Sequence, residues 1–236
     1  MSSVRRHRIL LLGLIALIAA GVALLLFSRP QGTPQERLIA EIERELGRVR
    51  TVKGRLTISL HEVTLEQELW VQRPAMLRTE TSAGPGAFQG TIVVLNDQEG
   101  WVYSPALDMA TVVDRANYDA ALAGETGAGS LLERMPDSIL AALRGGSPVH
   151  VTEGGQIAGR ATVLLETTIP TGDPSFPEGP LQVWLDQQYS YPLAWRDSSG
   201  RTLRFTLVIF NEAIDPVTFT FLPPPGASVH RVNTQP

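Results

Sequence analysis

The chain has 236 residues and no cysteine, which excludes disulfides, a thiol nucleophile, cysteine metal sites and lipid attachment through an N-terminal cysteine. Its formal charge is −4, and with Arg5, Arg6 and Arg8 set aside 17 basic residues stand against 24 acidic ones, a balance of −7. So acidic a body repels nucleic-acid phosphate, and no stretch interleaves Lys or Arg with aromatics, so nucleic acid is not expected as a partner.

Residues 9–27 carry no charge. As a helix they would span roughly 28 Å, close to the apolar thickness of a bilayer. Arg5, Arg6 and Arg8 precede this run, whereas Arg29 alone follows it closely. The positive-inside bias therefore predicts a single pass through the cytoplasmic membrane with the N-terminus inside. The body would then lie on the extracytoplasmic side, periplasmic or facing the cell envelope. A cleaved signal peptide is the alternative, with Gly21-Val22-Ala23 as the small-residue site, although Leu24 to Phe27 prolong the apolar run. Residues 1–27 are thus read as a signal-anchor or signal peptide and 28–33 as a linker, leaving one domain over 34–236.

Thr33-Pro34-Gln35-Glu36 has the form of a helix start: a threonine cap, proline at the first position, and glutamate three residues after the cap. Leu38, Ile39, Ile42, Leu46 and Val49 then recur on one helical face. From Thr51 the period falls to two. Leu56, Ile58 and Leu60 alternate with polar residues, as do Leu69 and Val71, which is the mark of half-buried strands. Further strands are predicted at 76–82, 91–95, 101–104 and 110–114, with Asn96 to Gly100 as a hairpin connection.

The segment 117–146 breaks the alternation. Ser130 and Glu133 make a second capping pair, and Leu131, Leu132, Met135, Ile139, Leu140 and Leu143 supply an apolar face. Pro136 is expected to divide it into two short helices ended by Gly145-Gly146. Strands resume at 149–152, 159–168, 180–186, 192–197 and 201–210, the last two joined by an Asp197–Gly200 turn. The fold class is α+β: one large curved antiparallel sheet of about 11 strands, with an N-terminal helix and central helices as its only covers. Those apolar faces make either an ordinary core or the walls of a cavity.

Motifs of catalysis and cofactor binding are missing. His61-Glu62 opens a zinc-protease pattern, but Leu65 stands where the second histidine is required. No nucleophile elbow or phosphate loop occurs, and Ala83-Gly84-Pro85-Gly86 reads as a loop, not a dinucleotide fingerprint. The chain is expected to be no enzyme, with no cofactor and no metal.

Three ordered pieces resemble a known family. They are Leu69-Trp70-Val71-Gln72-Arg73-Pro74; then Ile92-Val93-Val94-Leu95-Asn96-Asp97 with Trp101-Val102-Tyr103-Ser104-Pro105; and finally Phe219-Thr220-Phe221 with Pro223-Pro224-Pro225-Gly226. Together they resemble the LolA-like lipoprotein-sorting superfamily of outer-membrane lipoprotein carriers. That group also includes outer-membrane lipoprotein receptors, RseB-like stress-signalling regulators and actinobacterial lipid-binding lipoproteins.

The resemblance implies an incomplete β-barrel with a helical lid over an apolar, acyl-binding cavity. It makes Arg73 a latch to the lid backbone, where otherwise a strand-end arginine would simply reach solvent. It also places Leu77 where the family has an aromatic. Alternation then predicts a cavity lined by Leu56, Ile58, Leu60, Leu69, Val71, Leu77, Leu132, Ile139, Leu140 and Leu143, with Leu56, Ile58 and Leu60 as strand partners of Leu69 and Val71. The expected partners are a lipid or acylated lipoprotein, and the cell membrane through residues 9–27. A regulatory reading would add a membrane-protein partner.

Overall fold

The computed structural model describes residues 33–115, 118, 128–173 and 175–232, apart from the side chains of 128–134. The predicted anchor at 9–27 lies outside the described residues. Among those described, no helix is long and apolar enough to cross a membrane. The chain divides into two compact units, residues 1–37 and 38–236.

The described part of the first unit is the capped start of helix α1 (Pro34–Leu46). The Glu36 N–H donates to Thr33 Oγ1 at 3.2 Å, and the Thr33 N–H donates to Glu36 Oε2 at 2.6 Å. This reciprocal pair satisfies two helix-end donors, as the sequence predicted. Within the second unit α1 buries Ile39, Ile42 and Leu46.

The second unit is built on one sheet of 12 strands. A first meander comprises β1 (Thr51–Leu60), β2 (Val63–Gln72), β3 (Met76–Ala83), β4 (Ile92–Leu95), β5 (Glu99–Ser104) and β6 (Met109–Asp114). Helix α2 (Ala128–Gly145) follows. A second meander comprises β7 (His150–Ile157), β8 (Arg160–Ile169), β9 (Gly179–Asp186), β10 (Pro192–Arg196) and β11 (Thr202–Phe210). The meanders join where β1 pairs antiparallel with β11, giving the order β12-β6-β5-β4-β3-β2-β1-β11-β10-β9-β8-β7. The outermost strands, β7 and β12 (Ser228–Val232), are not paired to each other, so the barrel is incomplete.

The sheet curls strongly. Strands β8 and β11 are separated by β9 and β10, which in a flat sheet would hold them about 14 Å apart. Yet the Arg160 guanidinium at the start of β8 lies 5.0 Å from the Phe210 ring at the end of β11.

A bulge on β11 adds to the irregularity. Arg55 pairs with Leu207 and Leu56 with Phe205, so Thr206 has no opposite number. Leu203 and Phe205 are buried before it and Val208 after it, whereas Leu207 is 51% exposed. Straight alternation from Leu203 would have buried Leu207 and Ile209 instead.

Four predicted features are corrected. Residues 228–232, where no strand was predicted, add β12 parallel to β6 and bring the sheet to 12 strands. Helix α2 runs unbroken through Pro136, so the expected pair of short helices is one helix. An interior proline costs about 3 kcal/mol; burial of Met135, Ile139, Leu140, Ala142 and Leu143 along the same helix offsets that cost. The helix also starts at Ala128, two residues before Ser130. Finally, Leu69 and Val71 pair with Gly54 and Val52, whereas Leu56 and Ile58 pair with Gln67 and Leu65. The cause is the tight turn at His61, φ 55, which fixes the register at Leu60–Val63.

The residues after β11 cross the opposite face. Asp215 caps a short 3-10 turn by accepting the Val217 N–H at 3.0 Å. Arg78 donates to the carbonyls of Thr218 and Thr220 at 3.2 and 3.4 Å. Phe221 packs on Trp101 and Tyr103, with ring centroids 5.6 and 5.8 Å apart, and so completes a small second core with Val94, Ala110 and Val112.

Gly54 marks the tightest point of the central pairing. A Cβ there would lie 2.6 Å from the Leu207 carbonyl oxygen and 2.8 Å from the Phe205 ring. Gly54→Ala is expected to lower stability by about 2 kcal/mol, read as a reduced midpoint in chemical denaturation, through overpacking between backbone and a buried ring.

Candidate functional site

The inward face of β2 carries Leu65, Gln67, Leu69 and Val71, all buried. Leu77 of β3, Leu56 and Ile58 of β1, and Ile139, Leu140 and Leu143 of α2 belong to the same apolar cluster as Leu69 and Val71. Leu60 is half-buried and packs against that cluster. The Leu132 side chain lies outside the described residues. Ile42 and Leu46 of α1 join from one helix, and Leu181, Val183, Leu193, Leu203 and Phe205 from the second meander. The residues predicted for the cavity wall therefore come together, but mostly as packed core.

Open space occurs at one end of this face. A cavity of about 140 Å³ is lined by Val71, Arg73, Pro74, Met76, Pro136, Asp137 and Tyr191. Two of the predicted site residues, Val71 and Arg73, line it. Tyr191 and Met76 were missed. Tyr191 follows β9 and reaches the cavity only because the second meander curls round, which no local pattern reveals. Met76 opens β3 immediately beyond the Arg73-Pro74 corner, so its place next to that motif was the available signal. An engineered apolar cavity of about 150 Å³ holds benzene. The space in this protein is of that order, enough for a few carbon atoms and not for a whole acyl chain.

Arg73 continues the inward parity of β2. Its Nη1 donates to the Leu46 carbonyl at 2.9 Å, and that oxygen also accepts the Val49 N–H at 3.1 Å. The guanidinium thus ties strand β2 to the last turn of α1, where helix carbonyls lack intrahelical partners. Toward α2 it faces the cavity wall of Pro136 and Asp137. Among the described residues it forms no ion pair.

Tyr191 is buried, which pushes its hydroxyl well above the usual phenol range, while the positive charge of Arg73 acts in the opposite sense. It remains a neutral O–H donor. Its ring is enclosed by Phe205 and Phe210, centroids 6.2 and 5.4 Å away.

Two attachments hold α2. Arg144 is ion-paired with Glu43 of α1, both about half exposed, so this contact contributes little. The end of the helix is held more firmly. The Ser147 N–H donates to the Thr168 carbonyl at 3.1 Å, and Thr167 Oγ1 donates to the Ser147 carbonyl at 2.8 Å. Gly146 sits too close to Thr167 and to the Ala142 carbonyl for any Cβ, at 2.8 and 2.9 Å.

Further along the inward face lies a polar patch. Gln67, 6% exposed, donates through Nε2 to Thr81 Oγ1 at 3.2 Å, and its Oε1 has no hydrogen-bond partner.

Arg73→Met is expected to cost about 1.5 kcal/mol of stability by removing one charge-assisted hydrogen bond to the end of α1. Hydrogen exchange should show faster opening at residues 46–49 and little change in the second meander.

Neither protein-family models nor curated proteins match the chain. Solved structures do. A conserved protein from Thermus thermophilus is 14% identical over 82% of this chain and 98% of its own, with a TM-score of 0.51. The Mycobacterium tuberculosis lipoprotein LppX is 14% identical over 76% of this chain and 98% of its own, with a TM-score of 0.50. MucB, in the Pseudomonas aeruginosa MucA/MucB complex, is 13% identical over 78% of this chain and 60% of its own, with a TM-score of 0.49. With the Thermus protein and LppX the chain thus shares its fold, an open, largely antiparallel sheet of 12 strands with two helices among the described residues.

Proposed function

We propose that this chain binds the acyl chains of a lipid or acylated lipoprotein at its inward apolar face, as a carrier or acceptor and not as an enzyme. The observation that carries this reading is the cavity between β2, β3 and α2, two of whose walls, Val71 and Tyr191, belong to the same apolar cluster as Leu69, Leu77 and Ile139. Each methylene moved from water into such surroundings contributes about 0.8 kcal/mol before binding costs.

The cavity is smaller than a full chain, so uptake requires α2 to part from the face it covers. Its C-terminal end is hydrogen-bonded to β8, and its tie to α1 is one exposed ion pair. The helix is therefore hydrogen-bonded to the sheet at one end and held along its length by burial of Ile139, Leu140 and Leu143, apolar contacts of a kind that acyl chains can replace. That asymmetry supports a lid pivoting near Gly145–Ser147.

We further place the body on the extracytoplasmic side, tethered by residues 9–27. The support is the uncharged run with arginines before it. A tether favours an acceptor or sensor over a freely diffusing carrier.

Organic extraction of the natively purified full chain should release an acyl lipid in stoichiometric amount, identified by mass spectrometry. Leu69→Glu and Ile139→Glu should abolish that recovery. Met76→Trp, which fills the cavity without adding charge, should lower it severalfold at unchanged thermal stability. If the folded chain carries and takes up no acyl ligand of any length, the reading fails.

Topology is separately testable, because the chain has no cysteine. Leu222→Cys, at a position 84% exposed, should react with a membrane-impermeant maleimide in spheroplasts. Labelling only after lysis would refute the placement outside.

A further inference from the structure

The mouth of the cavity has a chemistry that the apolar wall does not explain. Arg73 is half-buried and spends one hydrogen bond on the Leu46 carbonyl, although a guanidinium carries five N–H donors. No carboxylate lies within ion-pairing distance of it among the described residues. A partly buried charge without a partner costs free energy, and such charges are usually paired. Tyr191 lines the same cavity, and its hydroxyl makes no hydrogen bond among the described residues. Two donors, one of them cationic, therefore face the same small space with nothing to receive their protons.

Asp137 is the one acidic residue of the lining, and it is exposed on the α2 side. It forms no ion pair with Arg73, and so leaves the donors of Arg73 unused. On the opposite wall Val71 and Met76 are apolar, and the inward face continues past Val71 to Leu69 and Gln67. The arrangement is a polar entrance leading to a greasy interior, matched to a molecule with an accepting head and a hydrocarbon tail.

We propose that the cavity selects amphiphiles whose head is an oxyanion, a carboxylate or a phosphate, held by the free N–H groups of Arg73 and the hydroxyl of Tyr191 while the chain runs inward past Val71. This rests on the acyl-binding reading and adds the class of head group. An oxyanion accepts from both donors at once, and its bonds to a guanidinium are charge-assisted and bidentate, which a neutral ester cannot reproduce. Burial keeps the Tyr191 hydroxyl protonated, so it donates throughout the physiological range.

The test uses the full chain in dodecyl maltoside micelles, photolabelled with palmitic acid carrying a diazirine in its chain and, in parallel, with the methyl ester of the same probe. Labelled peptides are mapped by mass spectrometry. The acid should label the peptides spanning Val71–Met76 and Ile139–Leu143 about tenfold more than the ester, the discrimination expected from one charge-assisted hydrogen-bonded pair. Arg73→Gln should bring the ratio of acid to ester labelling close to one. Arg73→Lys should keep most of the preference, and Tyr191→Phe should reduce it severalfold. Competition separates the two sources: displacement of the acid probe at much lower concentration by hexadecyl phosphate than by unlabelled palmitate identifies the head as a phosphate, the reverse order a carboxylate, and equal potency supports an oxyanion site in general. Equal labelling by acid and ester in the unmodified chain would overturn the head-group assignment and leave acyl binding intact. Absence of labelling by either probe would remove acyl binding itself.

Discussion

A single apolar face has to be kept from water by very little chain. All twelve strands belong to one sheet, and the buried residues of β1, β2, β8, β9 and β11 share one side of it. A flat sheet of that width would need far more helix than the two helices among the described residues supply. Curling solves most of the problem, because it turns the sheet onto itself until Arg160 stacks over Phe210. The helices close what remains, and they do so through side chains such as Ile42 and Ile139 that enter the common cluster. Where the cover is incomplete, space is left, and the cavity at Val71 and Tyr191 is that remainder.

The position of that space follows from the same constraint. Strand β2 ends at the Arg73-Pro74 corner, where the sheet stops and the last turn of α1 begins. A hydrocarbon side chain at position 73 would plug the gap. A guanidinium instead bridges it, fixing a helix end by one bond and keeping polar groups at the rim. The opening is thereby kept wettable while its floor is apolar, a combination suited to admitting a chain from one end.

Much of this architecture was legible from local pattern. The capping pair at Thr33 and Glu36 and the apolar positions from Leu38 to Leu46 specify α1 without any tertiary information. The alternation in β1, β2 and β3 likewise names the buried residues, because a period of two is imposed by the pleat itself. What stayed hidden was set by distant contacts. The parallel pairing of β12 with β6 joins segments more than a hundred residues apart, and residues 228–232 contain no apolar alternation, being exposed along nearly their whole length. The bulge at Thr206 reverses the facing of Leu207 and Ile209, although both fit the pattern of a buried strand. Pro136 was read by its local cost, which the burial around it outweighs. Tyr191 belongs to the cavity through curvature alone.

The pairing of β1 with β11 also bears on how the molecule is made. Arg55 and Thr206, bonded across that junction, are 151 positions apart in the chain. At the usual pace of about 5–20 residues per second, some 8–30 seconds separate their emergence from the ribosome. During that interval the first meander has only helices to cover its apolar surface, and its central edge at β1 stays unpaired because β11 is not yet synthesised. Folding that waits on so remote a contact is slow by nature. The unpaired edge of β1 is consequently the part of the nascent chain most open to mispairing until β11 emerges.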